Sequence, residues 1–269
     1  MRILLTNDDG VHSEGMNALI ECVPAEMHAV IAAPATERSA SSHSISLGQK
    51  LRVEEFSGKK FPCYAIHGTP ADCVKFALGA GPGFIPDLIV SGINHGANTG
   101  ISVYYSGTIS AARGGFINGV PAMAVSLCSR ESRDFQASME ITRRLIEGYA
   151  EKRLPLNTML NVNVPPLEPK KIKGIKITKQ ASSRFIEEFV PEKSHDGKKV
   201  FTLAGEIEVL NADGTSDEEA VNGGYISITP LKIDLTEYKA IPRFQDWLND
   251  CKIEVPMKKG QNIKMPKSE

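Results

Sequence analysis

The sequence predicts an α/β fold, with a Rossmann-like, mostly parallel sheet, helices on both faces, and a C-terminal β-rich extension with a protruding hairpin. Short, nearly continuous apolar segments alternate with helical patterns in the first half of the chain. Such segments are typical of parallel strands that are buried on both faces. Polar, glycine-rich clusters follow several of them, at the position where open α/β sheets carry their sites.

Each predicted element of the first half follows from local residue patterns. Strands are predicted over short aliphatic segments, residues 3–6, 28–34, 64–68, 87–92 and 121–127. Helices are predicted over residues 14–23, 70–78, 108–118 and 133–151, the last of which has apolar residues at helical spacing. Thr69 and Pro70 suit the N-cap and the first position of the second helix.

The predicted domain organisation changes after about residue 165. Residues 1–165 are expected to form a catalytic core, and residues 166–255 a C-terminal part that returns to the core and supports oligomerisation. Half-exposed strands are predicted at residues 173–178 and 224–229, because polar and apolar side chains alternate there. Between them, the charged and glycine-containing residues 180–222 predict the hairpin, and the lysine-rich residues 256–269 predict a disordered tail.

The composition is that of an ordinary globular protein without an electrostatic preference for nucleic acid or membranes. The 269 residues are 41% hydrophobic and 23% charged, with a formal net charge of −1. No apolar segment approaches the roughly 20 residues of a membrane helix, and no signal peptide is evident. The five cysteines are scattered without a C-x-x-C pair, which favours reduced thiols and a cytoplasmic protein.

Two adjacent carboxylates, Asp8 and Asp9, follow the first predicted strand in the sequence Asn7-Asp8-Asp9-Gly10. In an extended strand their side chains would point to opposite faces, whereas at a turn they can converge. Converging carboxylates repel each other unless a cation or a shared proton lies between them. The alternative is a solvated Asx turn in which Gly10 supplies a positive φ.

Two further clusters follow the next strands and supply oxygen donors. Residues 38–44 contain Ser39, and residues 91–100 contain Asn94; each segment alone could be a surface loop. Together with the two aspartates, they give an all-oxygen set that suits Mg²⁺ or Mn²⁺. The six histidines show no ligand spacing, so no histidine metal site is predicted.

A fourth cluster, Ser106-Gly107-Thr108, stands directly before an alanine-containing helix. Either hydroxyl could be a plain N-cap. A helix start of this kind also offers free N–H groups and a positive dipole end to an anion, for which phosphate is the natural guest. A divalent cation beside a phosphate site predicts hydrolysis of phosphomonoesters.

In this order, the clusters resemble the SurE (survival protein E) family of nucleotidases over residues 1–231. The matching segments also include residues 68–74 and 224–231. The resemblance implies a Rossmann-like core, one divalent cation, and hydrolysis of nucleoside 5′- and 3′-monophosphates, with polyphosphate as a further substrate of some members. By position, it implies a set of metal ligands and a phosphate pocket: Asp8, Asp9, Ser39 and Asn94 for the metal, and Asn98, Ser106, Gly107 and Thr108 for phosphate.

The same resemblance implies assembly as a homodimer or homotetramer through the C-terminal part, a role that residues 180–222 suit. This chain departs from the family pattern at three places. Ala40 and Gly114 stand where the family usually has Gly and Glu, and residues 216–219 match the family's acidic-threonine segment only loosely. Adjacent glycines in a helix cost about 1 kcal/mol each relative to alanine.

Alternatives remain for the chemistry. Water can attack the phosphoryl group with Asp8 or Asp9 as proton acceptor, or Asp8 can attack and form an aspartyl-phosphate. We favour water, because the Asp-x-Asp spacing of haloacid-dehalogenase phosphatases is missing. A different class of function is a metal-dependent nucleotide-binding or stress-interaction protein with little turnover.

Overall fold

Strands and helices alternate through the first 165 residues. A computed structural model of the chain describes residues 1–81, 83, 85–193 and 198–251; the predicted tail, residues 256–269, lies outside them. The elements of this part are β1 (Arg2–Thr6), α1 (Glu14–Glu21), β2 (His28–Pro34), β3 (Val53–Phe56), β4 (Cys63–Ile66), α2 (Pro70–Gly79), β5 (Leu88–His95), α3 (Ser102–Tyr105), α4 (Gly107–Ile117), β6 (Ala122–Leu127), α5 (Gln136–Ala150) and β7 (Met159–Val164).

The C-terminal part adds strands, a hairpin and two helices. A short 3₁₀ helix (Pro169–Lys171) is followed by β8 (Ile175–Ile177), β9 (Ser183–Glu192), β10 (Val200–Val209), α6 (Asp217–Asn222), β11 (Ile226–Leu231) and α7 (Ile241–Asp250). Strands β9 and β10 pair with each other, antiparallel, from Ser183↔Val209 to Glu192↔Val200. The chain divides into two units, Met1–Ile233 and Asp234–Glu269, of which the second contains α7.

The central sheet has nine strands in the order β3-β4-β2-β1-β5-β6-β7-β11-β8. Strands β4, β2, β1, β5, β6 and β7 are parallel, whereas β3 and β11 run antiparallel to their neighbours β4 and β7. From β1 the chain first builds one side of the sheet through β2, and later crosses to β5 on the other side. The gap between the ends of β1 and β5 is therefore the topological switch point, where such sheets bind ligands.

Two hydrophobic clusters cover the two faces of the sheet. Leu5, Met16 and Ile146 belong to the cluster that includes α1 and α5, while Leu4, Val74 and Ile109 belong to the cluster that includes α2 and α4. Neighbouring residues of β1 thus face opposite clusters, as strand geometry requires. The predicted fold class, including the extra antiparallel hairpin, is confirmed.

Several elements differ from the prediction. Strand β7, the antiparallel edge strand β3, and helices α3, α6 and α7 were not predicted. The last predicted strand was expected to be half-exposed, but Ile226–Thr229 of β11 are buried because β11 lies between β7 and β8. Strand β7 has the sequence MLNVNV, and its two asparagines look like surface residues although every residue of the strand is buried.

Candidate functional site

The candidate site lies at the switch point, where three parts of the chain meet around Asp8. The backbone oxygen of Asp8 accepts a hydrogen bond from Arg38 N (2.7 Å) in the loop after β2. The carboxylate Oδ1 accepts one from Thr108 Oγ1 (2.6 Å) in the first turn of α4. Gly107 also lies against this carboxylate, because a Cβ there would come within 2.7 Å of Asp8 Cβ and Oδ2. The absence of a side chain at Gly107 thus permits the close approach of α4.

The turn after β1 is built by Asn7 rather than by the aspartates. Asn7 Nδ2 donates to Gly10 O (3.0 Å) and Ser13 Oγ (2.8 Å), and Asn7 Oδ1 accepts from Gly10 N (3.2 Å). Gly10 has a φ of 100°, in the left-handed region that glycine adopts easily. The Asx turn is therefore present, and its hydrogen bonds leave both carboxylates for other partners.

Partial or full burial makes the charged form of each carboxylate less favourable than it is in water. Burial raises the pKa of Asp8 to about 7, an effect that the hydrogen bond from Thr108 opposes and the charge of Asp9 increases. Burial also raises the pKa of Asp9, while a hydrogen bond from the His95 backbone opposes the rise. Among the described residues, Asp9 Oδ2 is a buried oxygen without a hydrogen-bond partner.

This arrangement fits a divalent cation. Adjacent desolvated carboxylates gain most from a positive charge between them, and hard cations such as Mg²⁺ and Mn²⁺ prefer carboxylate oxygen. Within the part of the chain that the structure describes, no group of three or more His, Cys, Asp or Glu side chains forms a candidate cation site. Besides Asp8 and Asp9, the further ligands of such a cation would be hydroxyl oxygens, amide oxygens or water.

The two other predicted ligands belong to the neighbouring strands of β1: Asn94 lies at the end of β5, and Ser39 lies in the loop after β2. Asn94 is the penultimate residue of β5, next to His95, and its Nδ2 donates to Gly96 O (2.8 Å). This bond leaves the amide oxygen for a ligand. Ser39 is exposed, and its hydroxyl donates to Glu37 Oε1 (2.6 Å). A role of Ser39 as ligand requires its hydroxyl to leave Glu37, and the roles of both residues stay predictions.

The start of α4 contains three of the residues that the sequence predicts to bind phosphate. Ser106 is its N-cap, with Oγ accepting from Ile109 N (3.1 Å). The N-cap role that the sequence offered as one alternative for this hydroxyl is therefore present. Gly107 and Thr108 are the first two helical residues, and the N–H groups of a first turn have no partner within the helix. The positive end of α4 is therefore directed at the carboxylates.

Asn98 is held by three buried side chains that were not predicted as part of the site. Its backbone N–H donates to Asn163 Oδ1 (2.8 Å), and its backbone oxygen accepts from Asn161 Nδ2 (2.7 Å) and Asn163 Nδ2 (3.3 Å). Its side-chain Nδ2 donates to Ser126 Oγ (2.8 Å), and Ser126 pairs with Asn94 between β6 and β5. Asn98 thus lies beside the end of β5 in a fixed orientation. The sequence feature that could have indicated these partners is the pair Asn161 and Asn163 within the otherwise apolar segment MLNVNV.

The fold and the site define a Rossmann-like α/β protein with a buried and a half-buried carboxylate, adjacent in sequence, and a helix N-terminus at its topological switch point. The chain belongs to the SurE family, because the family model described as Survival protein SurE matches residues 3–187. In the described part of the chain, no helix is both long and apolar enough to cross a bilayer.

Individual relatives match almost the whole chain. A protein of Pelotomaculum thermopropionicum named 5′-nucleotidase SurE is 44% identical over 94% of this chain and 97% of its own length. A protein of Thermoanaerobacter sp. with the same name is 43% identical over 94% of this chain and 100% of its own length. The crystal structure of the SurE protein from Aquifex aeolicus has a TM-score of 0.79 at 35% identity, covering 92% of this chain and 99% of that one.

Proposed function

We propose that this protein is a divalent-metal-dependent phosphomonoesterase that hydrolyses nucleoside 5′-monophosphates, and 3′-monophosphates, to nucleoside and phosphate. Its membership of the SurE family supports an enzyme of the 5′-nucleotidase class, the name that its relatives carry. The observation that carries the proposal is the contact between the buried Asp8 carboxylate and the N-terminus of α4. It puts a candidate cation site and a candidate anion site side by side.

In this proposal Asp8, Asp9, Ser39 and Asn94 hold the cation, which is Mg²⁺ or Mn²⁺. When bound, such a cation neutralises phosphoryl charge and lowers the pKa of a nearby water molecule. The chain's own groups bind and orient the substrate: the first-turn N–H groups of Gly107 and Thr108 meet the phosphate at the positive end of α4.

In this proposal, Asp8 or Asp9 takes part in proton transfer. One carboxylate accepts the proton of the attacking water, and the unpartnered, buried Oδ2 of Asp9 offers a suitable acceptor. The hydroxyl of Thr108 fixes Oδ1 of Asp8 by its 2.6 Å hydrogen bond, which keeps this side chain in one orientation. If Asp8 were instead the nucleophile, acid quenching during turnover would trap a phosphorylated Asp8.

The proposal is tested by phosphate release from a panel of nucleoside 5′- and 3′-monophosphates and short polyphosphate, with Mn²⁺, with Mg²⁺ or with EDTA. We expect release with a divalent cation and none with EDTA. A folded protein that binds nucleotide but releases no phosphate with either cation would contradict the proposal. That outcome would favour the nucleotide-binding alternative.

The assembly proposed for this protein is a homodimer or homotetramer built through the C-terminal part, residues 166–255, around a catalytic core of residues 1–165. One face of the β9–β10 hairpin supports this. Phe189 pairs with Leu203 and Phe185 with Ile207 across the two strands, and Phe189 and Leu203 are 64% and 58% exposed. An isolated two-stranded hairpin is marginally stable in water, so this apolar face suits contact with a second copy.

Light scattering after size-exclusion chromatography tests the assembly. A dimeric or tetrameric mass is expected for the wild type, and a smaller assembly for Phe189→Ser. A monomeric wild type would contradict it. The proposed location is the cytoplasm, supported by five cysteines that are all free thiols.

A further inference from the structure

The loop between β5 and α4 is held from the C-terminal part of the chain as well as from the sheet. Residues 96–101 of this loop carry Asn98 and lead through α3 directly to Ser106, Gly107 and Thr108. The sheet side holds Asn98 through Asn161 and Asn163, as described above. The opposite side contacts residues that lie 80 to 119 positions later in the sequence.

Asp217, the first residue of α6, makes the central contact on that side. Its side chain is 0% exposed, and Oδ2 accepts a hydrogen bond from Gly100 N (3.1 Å). Its other oxygen, Oδ1, accepts from Ala181 N (2.9 Å) and Glu218 N (2.9 Å). A single buried carboxylate therefore joins the loop, the segment before β9 and the start of α6.

Neighbouring side chains continue this contact along the loop. Gln180 Nε2 donates to Gly100 O (2.7 Å), and Ser183 Oγ accepts from Ile101 N (2.8 Å). Thr99 Oγ1 donates to Glu218 Oε1 (2.7 Å). Gly100 has a φ of 49°, and a Cβ there would lie 2.3 Å from Ser183 Oγ, so the loop passes too close for a side chain.

These bonds fix the backbone at Asn98 and at the residues that follow it, before the start of α3. Asn161 and Asn163 satisfy the backbone groups of Asn98, while Asp217 and Ser183 satisfy the N–H groups of Gly100 and Ile101. Buried N–H groups left without an acceptor cost free energy, so the loop has a strong preference for this path. The loop also reaches the serine-rich loop after β2, because Ser42 N donates to Tyr105 O (3.0 Å).

We infer that Asp217 is a positioning residue of the phosphate pocket, acting through Gly100 on the loop that carries Asn98 and continues into Ser106-Gly107-Thr108. The inference rests on the proposed function, since the pocket's role in phosphate binding belongs to that proposal. Residues 180–183 and α6 would then hold the loop in place in addition to their proposed part in assembly. The segment 216–219, which matches the family pattern only loosely, is the segment that provides this contact.

The test uses Asp217→Asn in the full-length chain, with Asp213→Asn as matched control. Asparagine has nearly the same shape as aspartate, but its amide N–H₂ replaces one of the two acceptor oxygens. At least one of the three backbone N–H groups that donate to Asp217 would then face another donor. Asp213 precedes the segment 216–219, is exposed, and bonds to Thr215 and Lys179 rather than to the loop. Ser183→Ala is the milder second variant, because it removes only the acceptor of Ile101 N.

Three quantities are measured for each variant: kcat/KM for a nucleoside monophosphate, the inhibition constant of inorganic phosphate, and the dissociation constant of Mn²⁺ by calorimetry. For Asp217→Asn we expect kcat/KM to fall about tenfold to a hundredfold and the phosphate constant to rise, because small misplacements of binding groups have effects of this size. The Mn²⁺ constant is expected to stay within about twofold, because the predicted ligands lie outside residues 96–101. Ser183→Ala should shift the first two quantities in the same direction by a smaller factor.

The inference is overturned if folded Asp217→Asn equals Asp213→Asn in kcat/KM and phosphate inhibition. It is also overturned if Mn²⁺ binding is lost together with phosphate binding, which would indicate general collapse of the site. If Asp217→Asn fails to fold, an unchanged phosphate constant in Ser183→Ala overturns it. A wild type without turnover would instead contradict the proposed function, and calorimetry of inorganic phosphate binding would then test the positioning role by itself.

Discussion

The turn after β1 and the loop after β5 both carry buried polar groups, but they differ in how completely other residues of the protein supply hydrogen-bond partners for them. Around Asn98 the two backbone groups and the side-chain amide are bonded to Ser126, Asn161 and Asn163. In the turn, Asp9 Oδ2 is buried without a partner, and burial raises the pKa of both aspartates. Since native proteins rarely leave buried polar atoms unpaired, we interpret the turn as a ligand site and the loop as a rigid support.

Removing a negative charge from the turn after β1 is expected to have the largest effect of the substitutions described below. We expect Asp8→Asn to lower kcat/KM for a nucleoside monophosphate by about a thousandfold or more, because a metal site contributes several kcal/mol to transition-state stabilisation. Asp246→Asn, an exposed residue of α7, is the matched control. Steady-state phosphate release measures both, and full activity in folded Asp8→Asn would refute the assignment of the turn.

The loop should respond to mutation through stability as well as activity. We expect Asn163→Ala to lower the free energy of unfolding by about 1 to 3 kcal/mol, because the buried N–H of Asn98 loses its acceptor. Urea denaturation measures the change, with Asn157→Ala at an exposed position as the control. An Asn163→Ala protein as stable as this control would show that the loop does not depend on the asparagines of β7.

The rule that sites follow the carboxyl ends of parallel strands was enough to predict the turn from the sequence. Asp8, Asp9 and Asn94 stand directly after or within short apolar segments, so a local pattern contains the information. The partners of the loop are different, because Asn98 and Asn163 are 65 residues apart and Gly100 and Asp217 are 117 apart. No periodicity within one segment reports such pairs.

Strand β7 was missed for a related physical reason. Its asparagines alternate with apolar residues, a pattern that predicts a half-exposed strand or a loop. They are buried because their amide groups bond to the backbone of Asn98 instead of to water. The same two asparagines that make this strand difficult to predict from the sequence hold the backbone of Asn98.

The adjacent glycines of α4 give a smaller and more local test. A Cβ at Gly115 would lie 2.1 Å from Ile89 Cδ1 in β5, whereas at Gly114 it would meet only ordinary contacts, 3.8 Å from His43 and Val74. We expect Gly115→Ala to destabilise the protein by about 1 to 3 kcal/mol through overpacking. Gly114→Ala should stabilise it by about 0.5 to 1 kcal/mol, because alanine favours the helix.

Each glycine variant is the control for the other, and thermal unfolding measures both. If Gly114→Ala destabilised the protein as much as Gly115→Ala, helix α4 would pack against its surroundings more closely at position 114 than these distances indicate. Equal stabilisation by both variants would show that Ile89 moves aside without cost.

The thermal stability of the protein with and without Mn²⁺ tests whether Asp8 and Asp9 share a divalent cation. At a Mn²⁺ concentration 100 times the dissociation constant, binding to the folded state alone stabilises it by about 2.7 kcal/mol. We therefore expect Mn²⁺ to raise the melting temperature of the wild type by several degrees and to leave Asp9→Asn almost unchanged. An equal rise in the wild type and in Asp9→Asn would contradict the account, since the cation would then bind elsewhere.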